Sequence, residues 1–197
     1  YHTTTGAVGV WDDCFIPGLT RTAEVCHKHG AKLAAQLLFK AQFYKYYGSS
    51  GNKDEFIAEW KRLEEITSSV FNPISGTPMD ELFARYMYFL RAKEGNKSST
   101  TEALRKFYER NKYQYLKRPN TIEDLKSLAL FWESVSNQDR ARFSDNVLKK
   151  LFILNYAPNG MWQHITSVYF LQHKNNDGIL SDAEFCKFLD RITAFIF

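Results

Sequence analysis

The amino-acid sequence predicts an all-α protein, a bundle of several helices, on three observations. From about residue 53 to the last residue, apolar side chains recur at three- and four-residue spacing, the period of one helix face. Residues that begin and end helices, such as Thr77, Pro78 and Gly95, separate these runs. After residue 50, no useful length of alternating apolar and polar residues indicates a strand.

The start and end signals divide this region into helices. Thr77 and Pro78 supply an N-cap and a first-turn proline for a helix that stops at Gly95. Pro119 breaks the chain before another helix, and Ser144 is the N-cap of a short one. The predicted helices are 54–70, 77–95, one from about 100, one from 121, one from 144, 161–172 and 182–197.

The apolar faces of these helices identify the side chains that should form the core. Large apolar residues at helical spacing are expected to pack against neighbouring helices. The residues predicted to be buried are Trp60, Leu63, Leu82, Tyr86, Leu104, Phe107, Leu128, Trp132, Leu151 and Phe152.

The first 50 residues have a different pattern. Residues 5–10 are small and apolar, which is compatible with a strand, and a helix is expected to end at Gly30. Residues 31–38 fit either a buried strand or the start of a helix, because periodicity does not separate the two in so short a run. We therefore expect a short β-α segment of uncertain origin over 1–37 and a helical domain over 38–197.

Composition restricts the class of protein. The chain has 197 residues, of which 44% are hydrophobic and 24% charged, as in a folded globular protein. The net charge of +4 is too small to indicate nucleic-acid binding by itself. No apolar stretch has the length of a membrane span, so no membrane partner is expected. The three cysteines Cys14, Cys26 and Cys186 lack the spacing of a disulfide framework, which favours a reduced, cytoplasmic setting.

Residues 173–184 have the layout of a calcium-binding EF-hand loop. Asn175, Asp177 and Glu184 occupy its positions three, five and twelve, but position one is His173, a poor ligand for a hard cation. The favoured alternative is a tight Asn-Asp-Gly turn followed by a capping box that begins at Ser181. This alternative predicts no metal here.

Cys26 and His29 form a second candidate metal cluster, three residues apart on one face of a predicted helix. Two ligands do not close a tetrahedral zinc site, and the chain shows no second half of the motif. The sequence also has no glycine-rich phosphate loop, nucleophile elbow or His-Glu-x-x-His motif. We therefore expect no cofactor and no complete active site, and no catalytic residue is assigned.

Basic and aromatic residues are mixed between Glu102 and Arg118. The basic residues are Arg105, Lys106, Arg110, Lys112, Lys117 and Arg118, and Tyr108, Tyr113 and Tyr115 lie among them. Cations bind phosphates and aromatic rings stack on bases, so this segment is the candidate for nucleic-acid contact, with Tyr113 as the stacking residue. The alternative is a solvated helix face.

Residues from about 38 to 197 resemble the helical region of the GmrSD-type bacterial restriction proteins, a family with a ParB-like N-terminal domain. The matching segments are LFKAQFYKYYG, DEFIAEWKRLEEI, GTPMDELFARYMYFLRAKEG, TTEALRKFYERNKY, FSDNVLKKLFILNYAPNGMW and SVYFLQHK. The resemblance implies a non-catalytic part of a nuclease/NTPase that defends against foreign or modified DNA. Its partners would be the other domains of the parent protein and DNA.

Residues 6–37 resemble instead an early β-α-β segment of the old-yellow-enzyme flavin oxidoreductases. That resemblance maps a flavin-contacting glutamine onto Gln36, while Phe39 stands where the family usually has histidine. Two alternative functions therefore stay open beside the DNA-defence module. One is a fragment of an oxidoreductase dependent on flavin mononucleotide, and the other is a calcium-responsive helical module.

Overall fold

The computed structural model describes residues 21, 35–47, 53–74, 76–98, 102–110, 112–118 and 120–197. Within these residues the secondary structure is helical and contains no strand, so the all-α prediction is confirmed. The helices are α1 (Ala35–Tyr47), α2 (Lys53–Val70), α3 (Pro78–Lys93), α4 (Leu104–Arg110), a 3-10 helix (Gln114–Lys117), α5 (Thr121–Ser136), α6 (Asp145–Leu154), α7 (Met161–His173) and α8 (Asp182–Ile196).

The predicted caps of α3 and α6 are present. The Thr77 hydroxyl accepts the Asp80 N–H at 3.1 Å, and the Asp80 carboxylate accepts the Thr77 N–H at 2.9 Å. This pair is a capping box, which satisfies two N–H groups that the helix leaves unpaired. Gly95 follows α3 with φ +66°, a left-handed conformation that glycine adopts at little cost. The Ser144 hydroxyl accepts the Val147 N–H at the start of α6.

The structure confirms that α8 begins at Asp182 but corrects the cap predicted there. The Ser181 side chain makes no capping hydrogen bond, so the capping box expected there is absent. The next residue, Asp182, accepts a hydrogen bond from the Ser144 hydroxyl at 2.8 Å instead. This contact ties the N-terminus of α8 to that of α6.

Helix α3 runs through the middle of the described fold. It packs against α2, α4, α5 and α7, while α6 and α8 pack against each other. An aromatic group at one end of the core joins α1, α2, α3 and α4, with the Phe39 and Phe83 ring centroids 4.5 Å apart. At the other end, Phe131 of α5 stacks on Phe170 of α7 at 4.3 Å. Both groups belong to one continuous hydrophobic core.

Of the ten residues that the sequence predicts to be buried, eight are buried and one is half-buried. The prediction for the tenth is wrong. The eight buried residues are Trp60, Leu63, Leu82, Tyr86, Phe107, Leu128, Trp132 and Leu151. Leu104 is half-buried at the core's edge. Phe152 is 52% exposed. The buried face of α6 consists of Val147, Leu151 and Leu154, and Phe152 lies about 100° further around the helix.

Two further sequence expectations concern α1 and the membrane. Residues 35–38 are helical, which favours the helix over the strand for that part of 31–38. Helix α1 continues without a break across the boundary expected at 37 and 38. The strand expected at 5–10 lies outside the described residues. In the part of the chain that the structure describes, no helix has the length and apolar character needed to cross a membrane.

Candidate functional site

The basic segment folds into α4, a left-handed turn and the 3-10 helix. Lys112 and Tyr113 have φ values of 51° and 60°, and the Tyr113 N–H donates to the Tyr108 carbonyl at 3.1 Å. Non-glycine residues rarely adopt this conformation, and here two adopt it in succession. The turn ends α4 and reverses the chain, so that the cations after it lie near those at the end of α4.

Burial removes two of the three tyrosines from any role in stacking on bases. Tyr108 is fully buried, and its hydroxyl donates to the Phe83 carbonyl at 2.9 Å. Tyr115 is buried and stacks on Phe107 at 5.1 Å. Only Tyr113 retains partial exposure. Its hydroxyl donates to Glu109, and burial together with that carboxylate raises the pKa of Tyr113 to about 12.

Local carboxylates neutralise part of the positive charge. The Arg105 guanidinium bonds Glu109 at 2.5 Å, and Arg110 pairs with Glu102 at 3.4 Å. Lys117 donates to the carbonyl of Lys112 at 3.1 Å. The segment is therefore less basic in the folded chain than its composition indicates.

Three of the predicted cations nevertheless line one open cleft. Arg110, Lys112 and Arg118 surround a volume of about 410 Å³, together with Gln114, Tyr115 and Glu94. We call this the basic cleft. The Arg118 guanidinium lies 4.8 Å from the centre of the Tyr115 ring, and the Tyr115 hydroxyl donates to Glu94. The three cations outnumber the lining carboxylate Glu94 and the Glu102 carboxylate that pairs with Arg110, so the cleft is positive. Lys106 and Arg105 are not among the residues that line it.

A second concave site was not predicted from the sequence. It has a volume of about 570 Å³ and lies among α3, α5, α6, α7 and the loop that follows α2. We call it the Arg85 cavity. Its apolar walls are Val70, Phe71, Pro73, Ile74, Trp132, Val135, Leu148, Leu151 and Phe152. Its polar lining residues are Asn72, Glu81, Arg85, Ser136, Gln138, Asn155 and Gln163.

Arg85 is the buried charge of this cavity, with 3% of its surface exposed. Its Nε donates to Glu81 at 3.0 Å, and its Nη2 donates to the Gln163 side-chain carbonyl at 2.6 Å. The guanidinium carbon lies 4.4 Å from the Trp132 ring centre and 4.6 Å from that of Phe71. Its Nη1 is buried and has no hydrogen-bond partner among the described residues.

The electrostatics of Arg85 show that its burial is incompletely compensated. Burial lowers the pKa of Arg85 to about 10, although the neighbouring Glu81 carboxylate acts to raise it. A buried charge is stable only when it is paired and its donors are satisfied. One carboxylate and one amide satisfy only part of this guanidinium. One feature of the sequence could have indicated this site: an arginine lies within the apolar stripe of α3, four residues after a glutamate.

The EF-hand-like segment forms a turn. The Asn175 side-chain oxygen accepts the N–H groups of Asp177 and Ile179, and Gly178 has φ +72°. Glu184 pairs with Lys187, a contact that lowers the pKa of Glu184. The predicted Asn-Asp-Gly turn is therefore present, with the Asn175 side chain bonded to backbone N–H groups and Glu184 paired with a lysine. No group of three or more His, Cys, Asp or Glu side chains in the described residues is arranged to hold a metal ion.

The other candidate residues lie at or beyond the edge of the described structure. Gln36 is in the first turn of α1, and its side chain is outside the described part. Cys14, Cys26 and His29 also lie outside it. Cys186 is a buried free thiol on α8.

Comparisons of this chain with protein-family models, with curated proteins and with solved structures found no match.

Proposed function

We propose that this chain is a non-catalytic helical module of a bacterial DNA-defence protein of the GmrSD type, and that it contacts the nucleic-acid backbone through the basic cleft. The observation that carries the proposal is the convergence of Arg110, Lys112 and Arg118 on that cleft. Of the six basic residues in the segment, these three share one concave surface. The family resemblance of residues 38–197 supplies the biological setting.

The chemistry of the basic cleft suits a phosphate group. Arginine offers a fork of N–H donors that matches phosphate oxygens, and lysine adds a compact positive charge. Gln114 contributes an uncharged amide beside them. Glu94 repels an anion, but the Tyr115 hydroxyl donates to it and takes up part of its charge. Such contacts position a backbone and carry little sequence information, so binding is expected to be sequence-independent.

Fluorescence anisotropy with labelled DNA tests the proposal. The full chain is titrated with two unrelated duplexes and with one single strand at two salt concentrations. We expect binding that weakens as salt rises, because phosphate contacts release counterions. The triple variant Arg110→Ala, Lys112→Ala, Arg118→Ala should weaken binding to both duplexes alike. It should also lower the slope of log K against log salt by about 2–3, since each phosphate contact on a duplex contributes about 0.9.

A matched control removes three cations elsewhere. The control is the triple variant Lys149→Ala, Lys187→Ala, Arg191→Ala, whose three positions are exposed and lie on α6 and α8. It changes the net charge by the same amount as the cleft variant. If the loss of affinity came only from net charge, both triple variants would bind equally weakly, and the cleft would have no special role. If wild type and the cleft variant gave equal curves, DNA contact at this cleft would be refuted. Melting temperatures of all three proteins show whether each is folded.

Tyr113 gives a separate prediction for single strands. It is the one tyrosine of the three with a partly exposed ring, and a base stacked on an aromatic ring contributes about 1–3 kcal/mol. Tyr113→Ala should therefore weaken single-strand binding more than duplex binding. Tyr113→Phe removes only the hydrogen bond to Glu109 and should retain the affinity.

A further inference from the structure

We propose that the Arg85 cavity is a binding site for a small molecule with an apolar body and a carboxylate, which the Arg85 guanidinium receives. The volume of about 570 Å³ lies within the range of about 300–1,000 Å³ that small-molecule sites occupy. Such sites combine apolar walls with a few polar groups that fix the ligand's orientation. This inference is independent of nucleic-acid binding, because the residues that line the two sites are different.

The apolar part of the ligand is indicated by the walls. Phe71 and Trp132 present aromatic rings beside Arg85, and Leu148 and Leu151 of α6 supply aliphatic surface. Phe152 also lines the cavity although half of its surface is exposed to solvent. The fold leaves the apolar surface of this ring exposed to water, and a ligand that covers the ring removes that surface from water.

The carboxylate is indicated by the donors of Arg85. Oε1 of Glu81 lies 3.0 Å from both Nε and Nη2, and Nη2 also donates to the side-chain oxygen of Gln163, while Nη1 has no partner among the described residues. The two terminal nitrogens of an arginine receive a carboxylate through two parallel hydrogen bonds. The Gln163 oxygen takes one of these two positions and leaves the other unfilled. When the Gln163 side chain moves aside, one carboxylate oxygen of the ligand replaces it at Nη2 and the other accepts from Nη1, the donor that the fold leaves unsatisfied.

The polar neighbours also limit the choice of ligand. Glu81 is the nearest acidic residue and already pairs with Arg85, so it weakens the attraction for an anion. His164, next to Gln163 in α7, has a pKa that burial and the Arg85 charge lower, so it is neutral at pH 7. The guanidinium is therefore the one cation among the lining residues. The Arg85–Glu81 pair is formally neutral, so a bound carboxylate adds one negative charge to the site and a dianion such as a phosphate adds two, which disfavours the dianion.

The test uses three probes that share one apolar body: 4-phenylbutyrate, 4-phenylbutanamide and 4-phenylbutylamine. Titration of the full chain at pH 7, followed by calorimetry or amide chemical shifts, measures each affinity. We expect 4-phenylbutyrate to bind saturably and at least about tenfold more tightly than the amide, because a charge-assisted pair is stronger than a neutral hydrogen bond. The amine should bind most weakly. Equal affinity for carboxylate and amide, or no saturable binding of the carboxylate at millimolar concentration, overturns the proposal.

Four variants locate the site. Phe152→Glu places a negative charge at an exposed position on the cavity wall and should weaken carboxylate binding at least about tenfold. Phe195→Glu makes the same change at an 86% exposed ring that does not line the cavity, and should leave the affinity unchanged. Glu81→Gln removes the like charge and should tighten binding of 4-phenylbutyrate but not of the amide. Arg85→Gln should abolish the preference for the carboxylate.

Because Arg85 is buried, Arg85→Gln carries a risk of unfolding, and the Phe152 and Glu81 variants then decide the question. If Phe152→Glu and Phe195→Glu bind 4-phenylbutyrate alike, the ligand does not occupy this cavity and the proposal fails. If Glu81→Gln strengthens binding of all three probes equally, the charge of Arg85 is not what selects the ligand. The DNA titration is unaffected by any of these outcomes, so the two proposals fail separately.

Discussion

Two neighbouring residues of α6 provide a direct test of how the bundle is packed. Leu151 and Phe152 are both large and apolar, and the sequence pattern assigned both to the core. In the structure Leu151 is 3% exposed, whereas Phe152 is 52% exposed. We predict that Leu151→Ala destabilises the protein more than Phe152→Ala, although the phenylalanine loses more atoms.

The magnitudes follow from burial. Leu→Ala removes three carbons, each worth about 0.8 kcal/mol when buried, or about 2.4 kcal/mol in total. The void left behind adds to this, but Leu151 borders the Arg85 cavity, so we expect a total of about 3 kcal/mol. Phe152 retains about half of the roughly 1.5–3 kcal/mol that full burial gives. Its edge contact with Tyr156, at 5.3 Å between ring centres, adds little, so about 1 kcal/mol is expected.

Urea unfolding followed by circular dichroism measures both free energies. In a domain of this size, about 1 kcal/mol corresponds to about 2–4 °C in melting temperature. Leu151→Ala should therefore lower the melting temperature by about 6–12 °C, and Phe152→Ala by about 2–4 °C. A larger loss for Phe152→Ala than for Leu151→Ala would show that α6 is rotated relative to the structure. Equal losses of stability in the two variants would show that the buried face of α6 is not the one that contains Leu151.

Two further predictions concern a helix cap and a buried histidine. Thr77→Ala removes the hydroxyl that accepts the Asp80 N–H at 3.1 Å and should lower the free energy of unfolding by about 1 kcal/mol, while Thr77→Ser should retain most of it in the same urea assay. Burial and the Arg85 charge lower the pKa of His164 below its ordinary value of 6.5, so the unfolded chain takes up this proton at a higher pH than the folded chain does. The free energy of unfolding should therefore decrease as pH falls below about 6.5, and it should decrease less in His164→Gln. Parallel pH profiles for the two proteins would contradict the lowered pKa.

The sequence by itself determined the helical class, most helix bounds and most of the core. Helix periodicity and capping are local, so Thr77, Gly95 and Ser144 act on neighbours within four residues, and their roles follow from spacing alone. The six cations of the basic segment were also identified from composition. Which of them share a cleft depends on the left-handed turn at Lys112 and Tyr113, a conformation that residue type does not specify.

Only the tertiary structure decided which of two adjacent apolar residues is covered. Leu151 and Phe152 fit the pattern equally well, and the packing of α6 in the bundle buries the leucine together with Val147 and Leu154. Contact with Phe39 of α1 and Phe83 of α3 likewise buries Tyr108 in the core, and the Ser181 side chain makes no cap at the start of α8.

The Arg85 cavity could not be predicted from the sequence, because it too depends on how the helices pack. Its guanidinium meets Phe71, Trp132 and Gln163, and the last of these is 78 residues away in the chain. Periodicity states which face of a helix is apolar, but it carries no information about which distant side chains complete that face. The burial of a charge and the unpaired donor that results depend on those distant partners, so they arise only when the helices pack.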